Sequence, residues 1–310
     1  MTRHAIGIDV GGTKIAGALV ELSTARIVTK EIIPTRPARG GQAVLRDTLA
    51  LAERLKTHAA DVPVTGIGVS ICELVNLQGE IRSDNLIKWR ELPVQQAFDA
   101  IAPTRFESDA RAPAIAEARF GAGAPHRNFL YLTIGTGISY CLVLEGRPYA
   151  GAHGHAIIAA SGLQSVHCES CGATQERSLE DFAAGPALVT RYNRRAAAPL
   201  HTGLDIAAAA AANDPIAQEI LASAGAAVGD TAAVLINALD PEALIIAGGL
   251  GLSGRIYWDS FIASTRRRIW AEECRNLPIL MARLGADAGV VGAALYAPSD
   301  RSSDALRGKN

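Results

Sequence analysis

The sequence predicts an α/β protein made of two similarly built halves, with a ligand-binding cleft between them. A strand-like stretch, a turn rich in Gly and Thr, and a second strand-like stretch occur near residue 9, and the same order returns near residue 135. Segments of helical period follow both, and a chain of 310 residues with 49% hydrophobic residues can bury two cores. Clefts between such halves are common ligand sites.

Apolar periodicity places the individual elements along the chain. The first half should contain strands at residues 5–9, 14–21, 27–33 and 64–70 and helices at 41–59 and 110–120. The second half should contain strands at 129–134, 138–144, 243–246 and 278–282, and helices between 179 and 238, at 256–269 and at 288–295. Residues 151–178 follow neither period and are predicted to form an ordered loop region.

These elements predict two domains, which agrees with a usual domain size of about 100–200 residues. A small α/β domain should hold residues 1–118, and a large α/β domain with a helical insertion should hold residues 119–286. The last helix, 287–297, should join the small domain. The polar tail, 298–310, should be frayed.

Composition argues against several classes of partner. The formal net charge is −1 and aromatic residues make up 5%, so a nucleic acid would find neither a basic surface nor stacking platforms. The first residues lack the layout of a signal peptide, and no apolar run approaches the roughly 20 residues that cross a bilayer. We therefore expect a cytoplasmic protein with no membrane partner. The odd count of five cysteines argues against a disulfide framework.

The first chemistry-bearing motif is a glycine turn after the first predicted strand, Asp9-Val-Gly-Gly-Thr-Lys14. Gly11 and Gly12 let backbone N–H groups approach an anion, and Thr13 adds a hydroxyl donor. Asp9 lies where the strand ends, so its carboxylate could hold Mg²⁺ through water beside phosphates. The alternative is a plain hairpin with an acidic flank. The chain has no Walker A pattern, so a P-loop enzyme is not favoured.

Two later turns repeat this chemistry. Gly135-Thr136-Gly137 follows an apolar strand and could hold a second face of a polyphosphate. Gly248 and Gly249 follow the predicted strand at 243–246 and would permit close approach of a bulky group such as adenosine. Each turn taken singly could be a hairpin or a packing turn at a strand end. Two Gly-Thr turns in one chain, each after an apolar strand, favour phosphate binding over chance.

Asp109 is the candidate catalytic residue. It follows Glu107 and Ser108 and precedes the predicted helix at 110–120. Phosphoryl transfer needs an aligned hydroxyl whose proton is accepted, together with neutralised phosphates, and one carboxylate opposite the glycine turns would accept that proton. The competing interpretation is that Asp109 only caps the N-terminus of the helix.

Together and in this order, these motifs resemble the ROK family of sugar kinases and repressors, within the actin/hexokinase superfamily. The resemblance runs from about Ile6 to Ala297 and includes Leu179-Glu180 and the Asp-Ala-Gly-Val-Val-Gly-Ala segment at 287–293. It implies a two-domain actin-like ATPase (ribonuclease H-like) fold and Mg²⁺-dependent transfer of the γ-phosphate of ATP to a hexose hydroxyl, usually on C6. A homodimer is plausible for the family. Repressors of the family carry an N-terminal helix-turn-helix, whereas this chain starts on the first kinase strand, so a repressor is disfavoured.

The resemblance also implies roles for single residues. Asp109 falls on the family's catalytic Asp, Glu180 on a Glu that contacts sugar hydroxyls, and Asn85 on the substrate-side loop. The nucleotide-binding motifs fall on Asp9, Gly11, Gly12, Thr13 and Lys14 for the first phosphate motif, Gly135, Thr136 and Gly137 for the second, and Gly248 and Gly249 for adenosine.

The departures from the family pattern cluster on the sugar side. The family's Gly-Glu-Ile-Gly-His signature should lie at about residues 157–161, where this chain reads Ile-Ile-Ala-Ala-Ser. Ile158 replaces a Glu that grips a sugar hydroxyl, and Ser108 replaces an Asn before the catalytic Asp. A sugar hydroxyl left unpaired at residue 158 would cost about 1–3 kcal/mol. We therefore expect an atypical acceptor, such as an amino sugar, a deoxy sugar or a cyclitol.

The family's zinc motif is also incomplete. The family motif consists of one His and the pattern Cys-x-Cys-Gly-x-x-Gly-Cys. This chain offers only His167, Cys168 and Cys171. Ser161 stands where a family His would be, and Ser178 stands where the last Cys would be. These three ligands could hold zinc if a nearby His or Glu supplied a fourth. A structural zinc of the family type is nevertheless the less favoured outcome.

Three functions are therefore weighed. The leading one is an ATP-dependent kinase for a small, atypical hexose-like acceptor, with Asp109 as general base. The first alternative is an ordinary glucokinase or N-acetylhexosamine kinase. The second, from another class, is a non-catalytic protein that binds a sugar or a nucleotide. Retention of both Asp9 and Asp109 argues against it.

Overall fold

The computed structural model describes residues 2–59, 62–167, 174–250 and 255–298. By its internal contacts, the chain divides into two compact units. The first unit holds Met1–Pro125, Val143–Ala156 and the chain from Arg283 onward, and the second holds His126–Leu142 and Ile157–Ala282. Residues 143–156 therefore group with the first unit, although the predicted large domain began at 119.

Helices and strands alternate along most of the described chain. Up to residue 125 they are β1 (His4–Val10), β2 (Lys14–Glu21), β3 (Arg26–Pro34), α1 (Gly41–His58), β4 (Val64–Ile71), α2 (Val94–Asp99), β5 (Thr104–Ser108) and α3 (Arg111–Phe120). Beyond it they are β6 (Phe129–Ile134), β7 (Ile138–Leu144), β8 (Arg147–Pro148), β9 (Leu163–His167), β10 (Thr174–Ser178), α4 (Glu180–Ala183), α5 (Gly185–Asn193), α6 (Gly203–Ala211), α7 (Pro215–Leu239), β11 (Ala243–Ala247), α8 (Arg255–Arg268), β12 (Ile279–Met281) and α9 (Ala288–Tyr296).

The sheet of the first unit has the strand order β3-β2-β1-β4-β5. The strand β2 is antiparallel to β1 and β3, whereas β4 is parallel to both β1 and β5. Val10 pairs with Ile71, and Ile71 pairs with Ser108. The three parallel strands therefore end at the same edge of the sheet, which is where open α/β sheets usually bind ligands.

The C-terminal helix α9 packs closely on β1 and β4. A Cβ atom at Gly7 would lie 1.9 Å from the Val290 carbonyl oxygen, and one at Gly68 would lie 1.7 Å from that of Ala293. Only glycine permits so close an approach of helix and sheet. Both faces of the sheet are covered, because α1 contacts β2 and α9 contacts β1, and this matches the nearly continuous burial of β1 and β4.

The second sheet has the order β12-β11-β6-β7-β8, with β11 parallel to β6 and to β12. The second unit contributes the helices α4–α8, and a core of buried apolar residues joins them to β6 and β11. The end of β7 and all of β8 belong to the first unit. In the second unit the strands β6 and β11 are parallel, so their carboxyl ends lie at the same edge of the sheet.

Helix α7 bears on the expectation that no apolar run is long enough to cross a bilayer. Among the described residues it is the one helix long and apolar enough, by length and composition, to cross a bilayer. Half of its most apolar window is buried, and Ile220, Val228 and Ile236 lie in the core of the second unit, as in a core helix. The helix has no unbroken apolar run of the length considered in the sequence analysis, because polar and charged residues interrupt it; its high mean hydropathy comes from many alanines spread among them.

The strands β9, β10 and β5 were not predicted. Residues 151–178, predicted as a loop region, contain the antiparallel pair β9–β10, with Thr174 opposite His167. The sequence of this pair, Leu-Gln-Ser-Val-His and Thr-Gln-Glu-Arg-Ser, has no sustained apolar alternation. The strand β5 was also missed because it buries only two alternate residues, Thr104 and Phe106.

Candidate active site

Asp9 lies near the end of β1, and its carboxylate is held from two sides. Ser70 Oγ donates a hydrogen bond of 2.8 Å to Asp9 Oδ1. At the start of α9, a Cβ atom at Gly289 would lie 2.4 Å from Asp9 Oδ2. Burial raises the pKa of Asp9, while the Ser70 hydrogen bond and the charge of Lys14 oppose this rise. A desolvated carboxylate of this kind would be stabilised by a nearby cation, so it fits a role beside Mg²⁺.

The turn between β1 and β2 is braced by a residue that the sequence did not single out, Thr35. The Gly11 N–H donates to the Lys14 carbonyl at 3.1 Å, which closes the turn. The Thr35 N–H donates to the Thr13 carbonyl at 3.1 Å, and Thr35 Oγ1 donates to the Gly11 carbonyl at 2.6 Å. Thr35 is fully buried, whereas the side chains of Thr13 and Lys14 are exposed. The turn is therefore held by Thr35 on its buried side, while Thr13 and Lys14 remain accessible to solvent.

A buried carboxylate, Glu73, organises the segment that contains Asn85. Glu73 is 4% exposed, and it accepts N–H groups from Asn85 at 2.9 Å, Leu86 at 2.7 Å and Ile87 at 2.8 Å. The hydroxyl of Ser83 donates to it as well. A charged acceptor that receives this many donors fixes the backbone firmly. No local sequence pattern indicates this role, because Glu73 lies ten residues before the nearest donor, Ser83.

The Asn85 segment lies against the first glycine turn. A Cβ atom at Gly12 would be 2.5 Å from Leu86 Cδ2, so the Leu86 side chain lies directly against the Gly12 backbone. The side chain of Asn85 is exposed, as a ligand-binding residue requires. Trp89, in contrast, is fully buried and donates to the Gly41 carbonyl, so it supports the segment from the core.

Asp109 follows directly after β5, at the same edge of the sheet as Asp9. Its N–H donates to the Ile71 carbonyl at 3.1 Å, and the residue is half-buried. The pKa of the Cys72 thiol is raised first by burial and then by the negative charges of Asp109, Glu73 and Asp9. The charges of three carboxylates therefore act on one thiol, which stays protonated at neutral pH.

Ser108 contributes to the start of α3. The helix begins at Arg111, and Ala110 before it offers no side-chain cap. Ser108 Oγ accepts the Arg111 N–H at 3.3 Å, which is the bond a capping residue would make. This hydroxyl thus serves the helix N-terminus beside Asp109.

In the second unit, the Gly135–Gly137 turn is held by Glu180. The Gly135 N–H donates to the Gly137 carbonyl at 2.9 Å, and the Gly185 N–H donates to the Gly135 carbonyl at 2.9 Å. Glu180 Oε2 accepts the Ile138 N–H at 2.9 Å and lies where a Cβ at Gly137 would be 2.8 Å away. The carboxylate implied to contact sugar hydroxyls therefore also braces a glycine turn.

The Gly248 turn lies beside the Gly135 turn. Gly248 has φ +87°, and a Cβ there would be 2.2 Å from the Ile134 carbonyl oxygen, which also accepts the Leu250 N–H at 3.1 Å. The strands that lead into the two turns are paired and parallel. No atom of the described residues would lie within 4 Å of a Cβ built at Gly249, and Thr136 is exposed. Two predicted nucleotide motifs thus lie together at one sheet edge.

The altered sugar signature has two unusual isoleucines. Ile157 has φ +59°, a left-handed conformation that is strained for a β-branched residue. Ile158 is 46% exposed although it is large and apolar. The same segment bonds to the start of α4, because the Ala160 carbonyl accepts the Glu180 N–H at 3.1 Å. An apolar side chain is therefore presented to solvent within two residues of that bond.

The predicted zinc ligands cannot be placed as a set. Cys168 and Cys171 lie outside the described residues, and His167 is described as the last residue of β9. In the part of the chain that the structure describes, no group of three His, Cys, Asp or Glu residues could hold a metal ion. The zinc hypothesis therefore stays a prediction.

Known proteins resemble the chain over nearly its whole length. The ROK family pattern matches residues 5–300. The glucokinase of Streptomyces coelicolor is 30% identical over 324 residues, covering 93% of this chain and 96% of that protein. The N-acetylmannosamine kinase of Salmonella typhimurium is 28% identical over 299 residues, covering 95% of this chain and 98% of that protein.

A solved structure agrees with these relatives. The ROK family glucokinase from Streptomyces griseus, crystallised in complex with glucose and AMPPNP, matches with a TM-score of 0.80 and 28% identity over 95% of this chain and 99% of that one. The fold is thus the two-domain, actin-like α/β fold of sugar kinases, as predicted. The chain belongs to the ROK family of the actin/hexokinase superfamily, and its class is that of an ATP-dependent carbohydrate kinase.

Proposed function

We propose that this kinase phosphorylates a hydroxyl, of the primary C6 type, on an atypical hexose-like acceptor such as an amino sugar, a deoxy sugar or a cyclitol. The observation that carries the proposal is the exposed Ile158, which stands where the family pattern has a hydroxyl-binding Glu. An acceptor lacking that hydroxyl, or carrying another group there, would leave no polar group unpaired.

Asp109 is the proposed general base. Its position at the sheet edge, near Asp9 and the neutral Cys72 thiol, supports this role. The acceptor hydroxyl gives its proton to an Asp109 carboxylate oxygen while its oxygen bonds to the γ-phosphorus. The bond from that phosphorus to the bridging oxygen breaks, and ADP leaves with the electron pair.

The nucleotide is proposed to bind at the glycine turns of both units. In the first unit these residues are Gly11, Gly12, Thr13 and Lys14, and in the second they are Gly135, Thr136, Gly137, Gly248 and Gly249. Asp9 would hold Mg²⁺ through water, and the ion would neutralise phosphate charge. The bracing of these turns by Thr35 and Glu180 supports the proposal, because a fixed turn loses little entropy on binding.

Acceptor recognition is proposed to involve Asn85, Ser108, Ile158 and Glu180. The Glu73 hydrogen bonds to the Asn85 segment support a fixed acceptor loop. Glu180 uses Oε2 for the Ile138 N–H, so Oε1 is the oxygen proposed for an acceptor hydroxyl.

An ADP-release assay over a panel of acceptors tests this function. The panel holds glucose, N-acetylmannosamine, amino sugars, single deoxy sugars and cyclitols. We expect at least one atypical acceptor to exceed glucose in kcat/KM by about tenfold or more, as loss of one hydrogen bond predicts. Ile158→Glu should raise kcat/KM for glucose, whereas Ile158→Leu, which stays apolar, should not.

The same assay separates the alternatives. The relatives named glucokinase and N-acetylmannosamine kinase favour an ordinary sugar kinase. Wild-type preference for glucose or N-acetylmannosamine, with no gain in Ile158→Glu, would establish that alternative. Nucleotide binding without ADP release for any acceptor would instead indicate a non-catalytic binding protein.

A further inference from the structure

A surface cavity of about 240 Å³ lies in the first unit, beside the end of β3 and one face of α1. It is lined by Ile33, Pro34, Arg36, Arg39, Asp47, Ala50 and Arg54. A water molecule takes about 30 Å³ in the liquid, so the cavity has room for a phosphoryl group with a small organic group attached.

The lining of this cavity is strongly basic. It carries three guanidinium groups and one carboxylate, although the chain as a whole has a formal net charge of −1. Arg39 donates to Asp47 Oδ2 at 2.7 Å, and Arg54 donates to Glu31 Oε2 at 2.9 Å. Among the described residues, the Arg36 guanidinium has no hydrogen-bond or ion-pair partner. The local excess of positive charge thus includes one group without a counter-ion.

The backbone at Arg36 is unfavourable for arginine. Its φ of 50° and ψ of 60° lie in the left-handed region, which is unfavourable for a non-glycine residue. A glycine would adopt this conformation without that cost. The conformation brings the Arg36 side chain to the cavity, and strain of this kind is found most often at functional sites.

The cavity is connected to the first glycine turn through one residue. Arg39 donates a hydrogen bond of 3.1 Å to the Thr35 carbonyl, in addition to its bond to Asp47. The same Thr35 holds the Gly11 carbonyl through its hydroxyl and the Thr13 carbonyl through its N–H. An anion that competes with Asp47 for Arg39 would therefore act on a residue that braces the turn.

We propose that this cavity binds a phosphate dianion, either inorganic phosphate or a small phosphomonoester, and that the bound anion changes nucleotide affinity through Arg39 and Thr35. Planar guanidinium groups bind phosphate oxygens in pairs, and three of them around one cavity suit a dianion. The effect on nucleotide affinity rests on the proposed function of the Gly11–Thr13 turn, whereas anion binding does not.

Calorimetric titration of the full chain tests the binding step. Inorganic phosphate, glycerol 3-phosphate and glycerol are titrated with AMPPNP and Mg²⁺ present in excess, so that a nucleotide site is already filled. We expect one saturable site for both phosphates and none for glycerol. Tighter binding of glycerol 3-phosphate would identify a phosphomonoester as the ligand, and equal binding would identify free phosphate.

Arg36→Gly is the informative variant, because glycine suits the left-handed backbone and folding should be preserved. We expect its phosphate Kd to rise by about tenfold or more, as loss of a charge-assisted bond predicts. Arg36→Lys should recover part of the affinity. Arg26→Gln, at the other end of β3, is the matched control and should bind as wild type. Wild-type binding by Arg36→Gly, equal weakening by Arg26→Gln, or no saturable binding would overturn the site.

Coupling is tested by measuring the AMPPNP Kd with and without saturating phosphate. We expect a change of about fivefold or more, matched by an equal change in the phosphate Kd when nucleotide is present. Thr35→Val removes the hydroxyl bond to Gly11 but keeps the backbone bonds to Arg39 and Thr13, so it should weaken the coupling while anion binding persists. An unchanged AMPPNP Kd in the wild type would overturn the coupling. Failure of AMPPNP to bind at all would refute the proposed function and leave the anion site standing.

Discussion

The ionised carboxylate of Asp9 lowers the stability of the folded protein. Its carboxylate is desolvated, and one hydrogen bond from Ser70 and the charge of Lys14 compensate only in part, since its pKa is raised. A raised pKa means that the folded protein favours the neutral acid. Ionisation at neutral pH therefore destabilises the fold, which is expected where a carboxylate is retained to meet a cation.

Asp9→Asn should increase the free energy of unfolding at pH 7. Asn keeps an acceptor for Ser70 Oγ but carries no charge to desolvate. Below the unfolded-state pKa of Asp, the carboxyl is neutral in both the folded and the unfolded protein and the gain disappears. The gain grows as pH rises from that value to the raised pKa of the folded protein, and it levels off above it. Urea unfolding of both proteins from pH 3 to pH 7 measures this. A gain that did not change with pH, or a loss at pH 7, would contradict the desolvation argument.

Ile157 also lies in a conformation that its side chain disfavours. Ile157→Gly should stabilise the fold by relieving the left-handed strain, although added flexibility of the unfolded chain offsets part of the roughly 1–2 kcal/mol gain. Ile157→Ala keeps a Cβ and is the matched control. Thermal unfolding distinguishes them, with the Gly variant expected to melt at the higher temperature. A lower melting temperature for Gly than for Ala would show that the backbone is not strained.

At the scale of elements, one carboxylate fixes a whole loop. Glu73 collects three backbone N–H groups and the Ser83 hydroxyl, and so replaces the hydrogen bonds that a regular element would provide. The loop then presents Asn85 beside the first glycine turn. Local sequence patterns do not reveal such a residue, because its partners lie at a distance along the chain.

Glu73→Gln should loosen this loop. The amide offers one acceptor oxygen to four donors, so buried N–H groups lose partners, and we expect a loss of about 1–3 kcal/mol in stability. If the loop positions the acceptor, KM for the acceptor should rise while KM for ATP changes little. Glu80→Gln, an exposed residue before the same loop, is the control. Equal effects on both Michaelis constants would indicate a general loss of structure.

Elements with a regular spacing of apolar residues were predictable from the sequence, and elements without such a spacing were not. The buried strands β1, β2, β4, β6 and β11 follow directly from apolar runs, and the final helix follows from its periodic residues. The strand β5 escaped prediction because it buries only two alternate residues, and the pair β9–β10 did so because its sequence has no sustained apolar alternation. A helix was predicted in the region of α7, but its length and apolar character were not.

For the molecule as a whole, the repeated strand-turn-strand pattern was the informative signal. It predicted two α/β units, and the family relationship confirms the fold. The same pattern located the glycine turns at the ends of parallel strands in each unit. It could not reveal Thr35, Glu73 or the basic cavity, because these depend on contacts between residues far apart in sequence. The roles of the site residues stay predictions.

The most direct test of the account is the turnover of Asp109→Asn with the best acceptor of the panel. We expect kcat to fall by about 10²–10⁴-fold, as loss of a general base predicts, while calorimetry shows the AMPPNP Kd within about twofold of wild type. Glu53→Gln, which alters an exposed carboxylate on α1 of the same unit, should keep wild-type turnover. An Asp109→Asn protein with kcat within a few-fold of wild type would contradict the assignment of the base and with it the proposed mechanism.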